Sequence, residues 1–466
     1  MNGSAGAGRP SRVEQLQLEQ GIDAVIALRA AVCLGGPVAL DSVAGSPRRW
    51  SLVGFDPLVR AEGTTSIAGL RDLVGQIPDL GVQGPFAGGF IGALAYDLGV
   101  AGEALELPAE PWGQPLIAGG LYTDFFLLDH VRGTATLVAA ELDDDPRGPL
   151  ERRLEHARDR LADARVNPPP LAVAGRGLKR HTPPEEHRQR VEAVRELIRD
   201  GELYQANIAH RISCSVDQSP LALYESLRAA NPAPYAGYLE FPGGALLSSS
   251  PELLLDFDGR EAVTRPIKGT APRGIDDEED ARLARELLAS VKDRAELAMI
   301  VDLERNDLGR VATPGGVSVD AFPELERYAA VQHLVATVRA RPRPGVDAVA
   351  LLEALFPGGS ITGAPKLRSM EAIALLEGEG RGFFTGSLGF LDTRGRACFD
   401  ILIRTLLWRP TPGGGEVSLR VGGGITWDSD PAAEESETIH KARAMLAALG
   451  LDPREAVADA AGEGSR

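Results

Sequence analysis

The chain has 466 residues, 44% hydrophobic and 25% charged, which allows a large core and up to three domains at roughly 150 residues each. A net charge of −17 argues against nucleic acid or an anionic membrane as partner, so an anionic substrate would need cations placed locally. Three cysteines, Cys33, Cys214 and Cys398, far apart and odd in number, fit a reducing compartment without a disulfide framework, and their lack of C-x-x-C spacing argues against a structural zinc site.

Residues 1–12, rich in Gly, Ser and Ala, read as a disordered end without the apolar core of a signal peptide. No run approaches the roughly 18 apolar residues of a membrane span, so a soluble, cytoplasmic protein is expected. Residues 13–180 form a strand-rich lead region, with strand-like pieces at 50–54, 86–96 and 121–129 and a charged helix at 147–165. Cys33, small and flanked by apolar residues, is expected to pack in a core. The prolines at 168–170 break the pattern, and a connector runs to residue 180.

A second region, residues 181–452, opens on a helix with Thr182 as N-cap, Glu185 completing a capping box and Val191, Val194 and Ile198 as its apolar stripe. Strands are predicted at 205–213, 235–241, 245–249, 253–257, 383–391, 397–407 and 417–421. Helices are predicted at 278–305, 367–376 and 431–449, and residues 453–466 read as a disordered tail. Strand runs and helix runs are grouped, not alternating, which favours an α+β fold.

Several residue types in this second region point to chemistry. Lys268 sits between Pro266 and Gly269, where a desolvated amine could act as a nucleophile. Glu296 shares a helix face with Ile300 and Leu303, and Glu434 and Glu437 fall three apart near a helix start. A divalent cation such as magnesium would explain both acidic groups; an ion pair of Glu296 with Lys292 or Arg294, or dipole relief at the last helix, would explain each separately. The run GGSITGAPK (358–366) places Thr362 and Lys366 at a helix N-terminus as an anion seat, without the Gly-Lys-Ser/Thr of a nucleotide loop. Arg404 is a candidate clamp for a carboxylate, a structural salt bridge being the alternative.

The runs PIKGTAPR (266–273), KDRAE (292–296), VDLERNDLGR (301–310), GGSITGAPK (358–366) and GGGITWDSD (422–430) stand together in an order that resembles the chorismate-utilising enzymes. That family includes anthranilate, aminodeoxychorismate, isochorismate and salicylate synthases. The resemblance covers about residues 180–450 and extends to RWSLVGFDP (49–57) in the lead region. It implies two large antiparallel β-sheets packed face to face with helices outside, and a magnesium-dependent pocket for chorismate. It further implies Lys268 as covalent nucleophile and Glu252 as general acid. Glu296 and Glu434 are implied as magnesium ligands with Glu437 close by, and Thr270, His333, Thr362, Arg404, Gly423 and Gly424 as the substrate pocket.

Lysine at 268, where anthranilate synthases usually carry alanine, directs the expectation to aminodeoxychorismate synthase component I, with ammonia from a separate glutamine amidotransferase subunit. Anthranilate synthase is the enzymatic alternative, and a non-catalytic scaffold for the amidotransferase is the alternative of another class. Phe384 replaces a frequent tyrosine, which removes one hydroxyl from the implied pocket. Leu40-Asp41-Ser42 partly resembles a segment that binds tryptophan in the family, with a simple turn as the plainer reading.

Overall fold

A computed structural model describes residues 10, 12–43, 46–101, 103–143, 145–166, 173–328 and 331–454. The ends read as disordered, except Pro10, Arg12, Pro453 and Arg454, and most of the proline break lie outside the described residues; Arg12 already opens the strand Arg12–Gln17.

The strands form two antiparallel sheets, of 12 and 10 strands among the described residues. One interior cluster takes residues from both: Val38, Leu40, Leu52 and Leu246 from the larger sheet and Phe90's neighbour Ile91, Phe390 and Cys398 from the smaller. The two sheets therefore share a face-to-face core. On the outer face of the larger sheet lie helices Ala24–Leu34, Leu150–Val166, Pro220–Ala230 and Pro431–Ala448, which join its strands in a second cluster. Helices Val291–Gly309 and Ala348–Leu355 cover the smaller sheet in the same way, whereas Lys366–Glu377 packs through Ala372 and Ile373 against Ala206 and Ile208 of the larger. The α+β architecture is as expected.

The lead region is woven into both sheets. Strand Val38–Asp41 pairs with Tyr235–Phe241 in the larger sheet, and Gly89–Leu94 pairs with Ser387–Asp392 in the smaller.

Five local expectations are corrected. The strand expected at 121–129 is divided between Ile117–Tyr122 and Phe125–Asp129, which belong to different sheets. The helix predicted at 278–305 is two helices, Asp277–Ala289 and Val291–Gly309, because Ser290 caps the second by accepting the Asp293 N–H at 3.2 Å. The strand predicted at 397–407 is two strands, Ala397–Asp400 and Thr405–Thr411, which belong to different sheets. Thr182 forms no capping box: Pro183 precedes the helix Pro184–Arg199, whose start has no side-chain cap. Cys33 is exposed on its helix and not packed in a core. Among the described residues no helix is long and apolar enough to cross a membrane.

Candidate active site

Two stretches of chain cross from one sheet to the other beside each other. Pro251 and Glu252 link Gly244–Ser250 of the larger sheet to Leu253–Phe257 of the smaller, and residues 401–404 make the return between Ala397–Asp400 and Thr405–Thr411. Hydrogen bonds tie the crossings: Ile401 N–H donates to the Glu252 carbonyl at 3.0 Å, and Ser249 N–H to the Arg404 carbonyl at 3.1 Å. The turn puts Arg404 at φ 53°, a left-handed conformation that a non-glycine residue keeps only where its surroundings impose it. Burial lowers the pKa of its guanidinium, against the pull of Glu252.

Glu252 is 3% exposed and accepts the Ile267 N–H at 3.3 Å. Burial raises its pKa, opposed by the Ser360 hydroxyl and by Lys268. Lys268 follows on the strand Ile267–Pro272, which pairs with Val331–Pro342; a register shift between Lys268 and Thr270 coincides with Gly269 at φ 75°. Thr270 falls opposite His333, and their Oγ1 and Nδ1 lie 2.9 Å apart.

The Lys268 side chain is half-buried, and its Nζ donates to the Ser360 carbonyl at 3.4 Å. Burial lowers its pKa, while Glu296, Glu252 and Glu437 pull it upward and Lys441 adds to the depression. A Cβ on Gly424 would lie 3.1 Å from the Lys268 Nζ and 2.7 Å from the Gln205 Nε2. Glycine there keeps the backbone against the pocket without filling it. A Cβ on Gly423 would lie 3.1 Å from Glu434 Oε2.

Glu296 and Glu434 come from different helices and both approach the Lys292 ammonium, each at 3.9 Å. The ion pair weighed from the sequence is therefore present, and it also gathers a second carboxylate. Burial raises the pKa of Glu296, and the nearby Glu434 charge adds to this. Two carboxylates converging on one cation form a donor set that suits magnesium, which takes one or two carboxylates and completes its shell with water. Among the described residues no group of three or more His, Cys, Asp or Glu side chains stands at ligand spacing. Glu437 is exposed and paired with Lys441 at 2.8 Å.

Other expected residues are placed differently. Lys366 is not part of an open anion seat: it pairs with Asp307 at 2.7 Å and donates to the Leu355 carbonyl at 2.8 Å. Thr362 is fully buried, and its hydroxyl donates to the Gly358 carbonyl at 2.9 Å. Phe384 packs its ring under the Arg381 guanidinium, 5.5 Å from the centroid. Asp41 is buried with its carboxylate taken up by Ser42 N–H at 2.8 Å, the Ser51 and Tyr224 hydroxyls at 3.1 Å each, and Arg228.

Three residues of the site were not singled out from the sequence. Ser360 lies inside the glycine-rich run and faces both Lys268 and Glu252. Glu304 is 1% exposed, accepts the Thr264 hydroxyl at 3.1 Å and is pushed well above the usual carboxylate range by burial and by Glu252. Its spacing of four from Ile300 and eight from Glu296 was the available signal. Gln205 is fully buried with both side-chain polar atoms unbonded; His333 likewise leaves Nε2 unbonded while burial and Arg404 push its pKa down to about 3.

Lys268, the buried Glu252, two carboxylates that approach one ammonium and the Arg404 guanidinium therefore stand in one part of the fold. The chain belongs to the chorismate binding enzyme family, whose model matches residues 44–447. It is 39% identical to anthranilate synthase component 1 of Streptomyces coelicolor, over 96% of this chain and 91% of that protein. It is 34% identical to aminodeoxychorismate synthase component 1 of Bacillus subtilis, over 90% of this chain and 92% of that protein. The crystal structure of anthranilate synthase component I from Streptococcus pneumoniae superposes with a TM-score of 0.75 at 29% identity, covering 86% of this chain and 93% of that one.

Proposed function

We propose that the protein is an aminodeoxychorismate synthase component I, which joins ammonia to chorismate and gives 4-amino-4-deoxychorismate with the enolpyruvyl group retained. The observation that carries this reading is Lys268: a half-buried amine of lowered pKa, beside a buried acid of raised pKa. The neutral amine attacks C2 of the ring while Glu252 gives its proton to the departing C4 hydroxyl, which leaves as water. Ammonia then bonds to C4, the C2–nitrogen bond breaks, and the proton released from nitrogen returns to Glu252. Arg404, Thr270 and His333 hold the substrate, and Gly423 and Gly424 leave room for it; Thr362 shapes the loop beside it. Glu296 and Glu434, with Glu437 adjacent, would hold magnesium, which supplies positive charge for the ring carboxylate. Ammonia comes from a separate glutamine amidotransferase subunit, in keeping with the component names of the relatives, and the three scattered cysteines fit the cytoplasm.

The test is mass analysis of the product formed from chorismate, magnesium and ammonium by the isolated chain. Aminodeoxychorismate is expected. Anthranilate synthase is the second reading, favoured by the 39% identity to the Streptomyces coelicolor enzyme. Pyruvate released without an added lyase would establish that reading instead, and absence of any turnover would leave the scaffold.

A further inference from the structure

Glu434 stands in the first turn of the helix Pro431–Ala448, so its carboxylate goes where the helix goes. The helix lies close on the strand Gly414–Ile425: a Cβ on Gly423 would meet Glu434 Oε2 at 3.1 Å, and the Lys441 ammonium donates to the Gly422 carbonyl at 2.9 Å. Binding constellations tolerate about 0.5 Å of misplacement, so the contacts that dock this helix bear on the cation.

One turn beyond Glu434, on the same helix face, Thr438 is buried. Its hydroxyl donates to the Glu435 carbonyl at 2.7 Å, which uses the one proton it has. His210 Nε2 lies 2.8 Å from the same oxygen and must therefore supply the hydrogen of that second bond. His210 belongs to the strand Gln205–Val216, where it falls opposite Val421, next to the glycine run 422–424. Its ring is buried edge to face with His187 of the helix Pro184–Arg199, centroids 5.1 Å apart, and its Nδ1 has no partner. The bond to Thr438 is thus the ring's polar anchor. Alternation along the strand puts His210 on the face opposite Gln205 and Asn207, so it touches no reactant.

We propose that His210 is a positioning residue for the cation site: through Thr438 it fixes the helix Pro431–Ala448 beside the turn that presents Glu434. This rests on the magnesium site proposed above. The ion pair of Arg180 with Glu435, at 2.6 Å, holds the same stretch of helix from the neighbouring strand.

The experiment measures the dissociation constant of manganese(II), which suits the same carboxylate ligands as magnesium, by electron paramagnetic resonance of the free ion. The full chain is used as wild type, His210→Leu, His210→Gln, Thr438→Val, the double variant His210→Leu/Thr438→Val, and Glu434→Gln. The magnesium needed for half-maximal chorismate consumption and the melting temperature without metal are recorded beside it. His210→Leu and Thr438→Val should weaken manganese binding about tenfold and raise the magnesium requirement alike, the low end of the cost of losing an outer contact of a metal ligand. His210→Gln keeps an N–H donor and should regain most of the affinity. The double variant should bind no more weakly than the weaker single one, since both changes remove the same bond. Manganese binding as in wild type in His210→Leu and Thr438→Val, whatever the melting temperature, overturns the proposal. A loss in His210→Gln as large as in His210→Leu overturns it too. Where His210→Leu does not fold, Thr438→Val, which removes the same bond with little change of shape, decides alone. Glu434→Gln separates this from the parent reading. Unchanged manganese binding there removes the metal site itself, whereas loss there without loss in the other two variants removes the role of His210 alone.

Discussion

Burial pushes Lys268 and Glu252 in opposite directions on the pH scale but toward the same charge state. It favours the neutral amine in one and the neutral acid in the other. A nucleophile and a proton donor need those forms, so turnover should follow a bell-shaped pH profile. In Glu252→Gln the proton-dependent alkaline fall should vanish, leaving activity that only rises with pH through the lowered Lys268 pKa, at a level about 10²–10⁴ lower. A pH–rate series on both proteins checks this, and an unchanged alkaline limb would remove the acid role. Lys268 also bears on stability. Its pKa is lower in the fold than in the unfolded chain, so the unfolded chain binds more protons between the two values and stability rises with pH there. Below that window the buried amine is a burden. Lys268→Met should therefore abolish amination yet stabilise the fold at pH 7 by about 0.5–2 kcal/mol, with the gain shrinking at alkaline pH. Melting curves at two pH values measure it.

The helix Val291–Gly309 shows how one element sets up the site. Glu296, Ile300, Glu304 and Asp307 recur at helical spacing, and the last two are buried toward Thr264 and Lys366. Glu296 then reaches Lys292 and the neighbourhood of Glu434. Glu296→Gln should leave the fold intact and raise the magnesium needed for half-maximal activity by about tenfold or more. A magnesium titration with a circular dichroism control tests it, and an unchanged titration would remove the metal assignment. Much of this element level was legible: strands Tyr235–Phe241 and Leu253–Phe257 have the predicted bounds. The helix break at Ser290 was missed because apolar periodicity continues across it and the cap is one serine. The sheet switch at residues 401–404 was missed because strand propensity is the same in either sheet. Lys268 and Glu252 stood out through their motifs. Gln205, with nothing unusual around it in sequence, becomes visible only once the pairing of its strand with Gly422–Ile425 brings it to Lys268.

At the scale of the whole molecule, the lead region and the catalytic region share one interior. Val38, Leu40, Leu52, Phe86 and Phe125 come from the lead region and are each no more than 1% exposed. They pack in one cluster with Leu239, Leu246, Leu388 and Phe390 from the other region. At about 1.5–3 kcal/mol for each large apolar side chain, these five alone contribute on the order of 10 kcal/mol. That is comparable to the whole stability of a typical protein, about 5–15 kcal/mol. Removing residues 1–180 also frees the edges of Tyr235–Phe241 and Ser387–Asp392, since Val38–Asp41 and Gly89–Leu94 no longer cover them. Bare apolar edges invite pairing with other chains. All the proposed site residues lie in 181–452, yet the fragment 181–466 should therefore be insoluble, or collapsed without cooperative unfolding. A denaturant titration of the fragment, followed by fluorescence and circular dichroism, decides the matter. A single sharp transition with chorismate turnover would show that the catalytic region holds its shape without the strands that precede it.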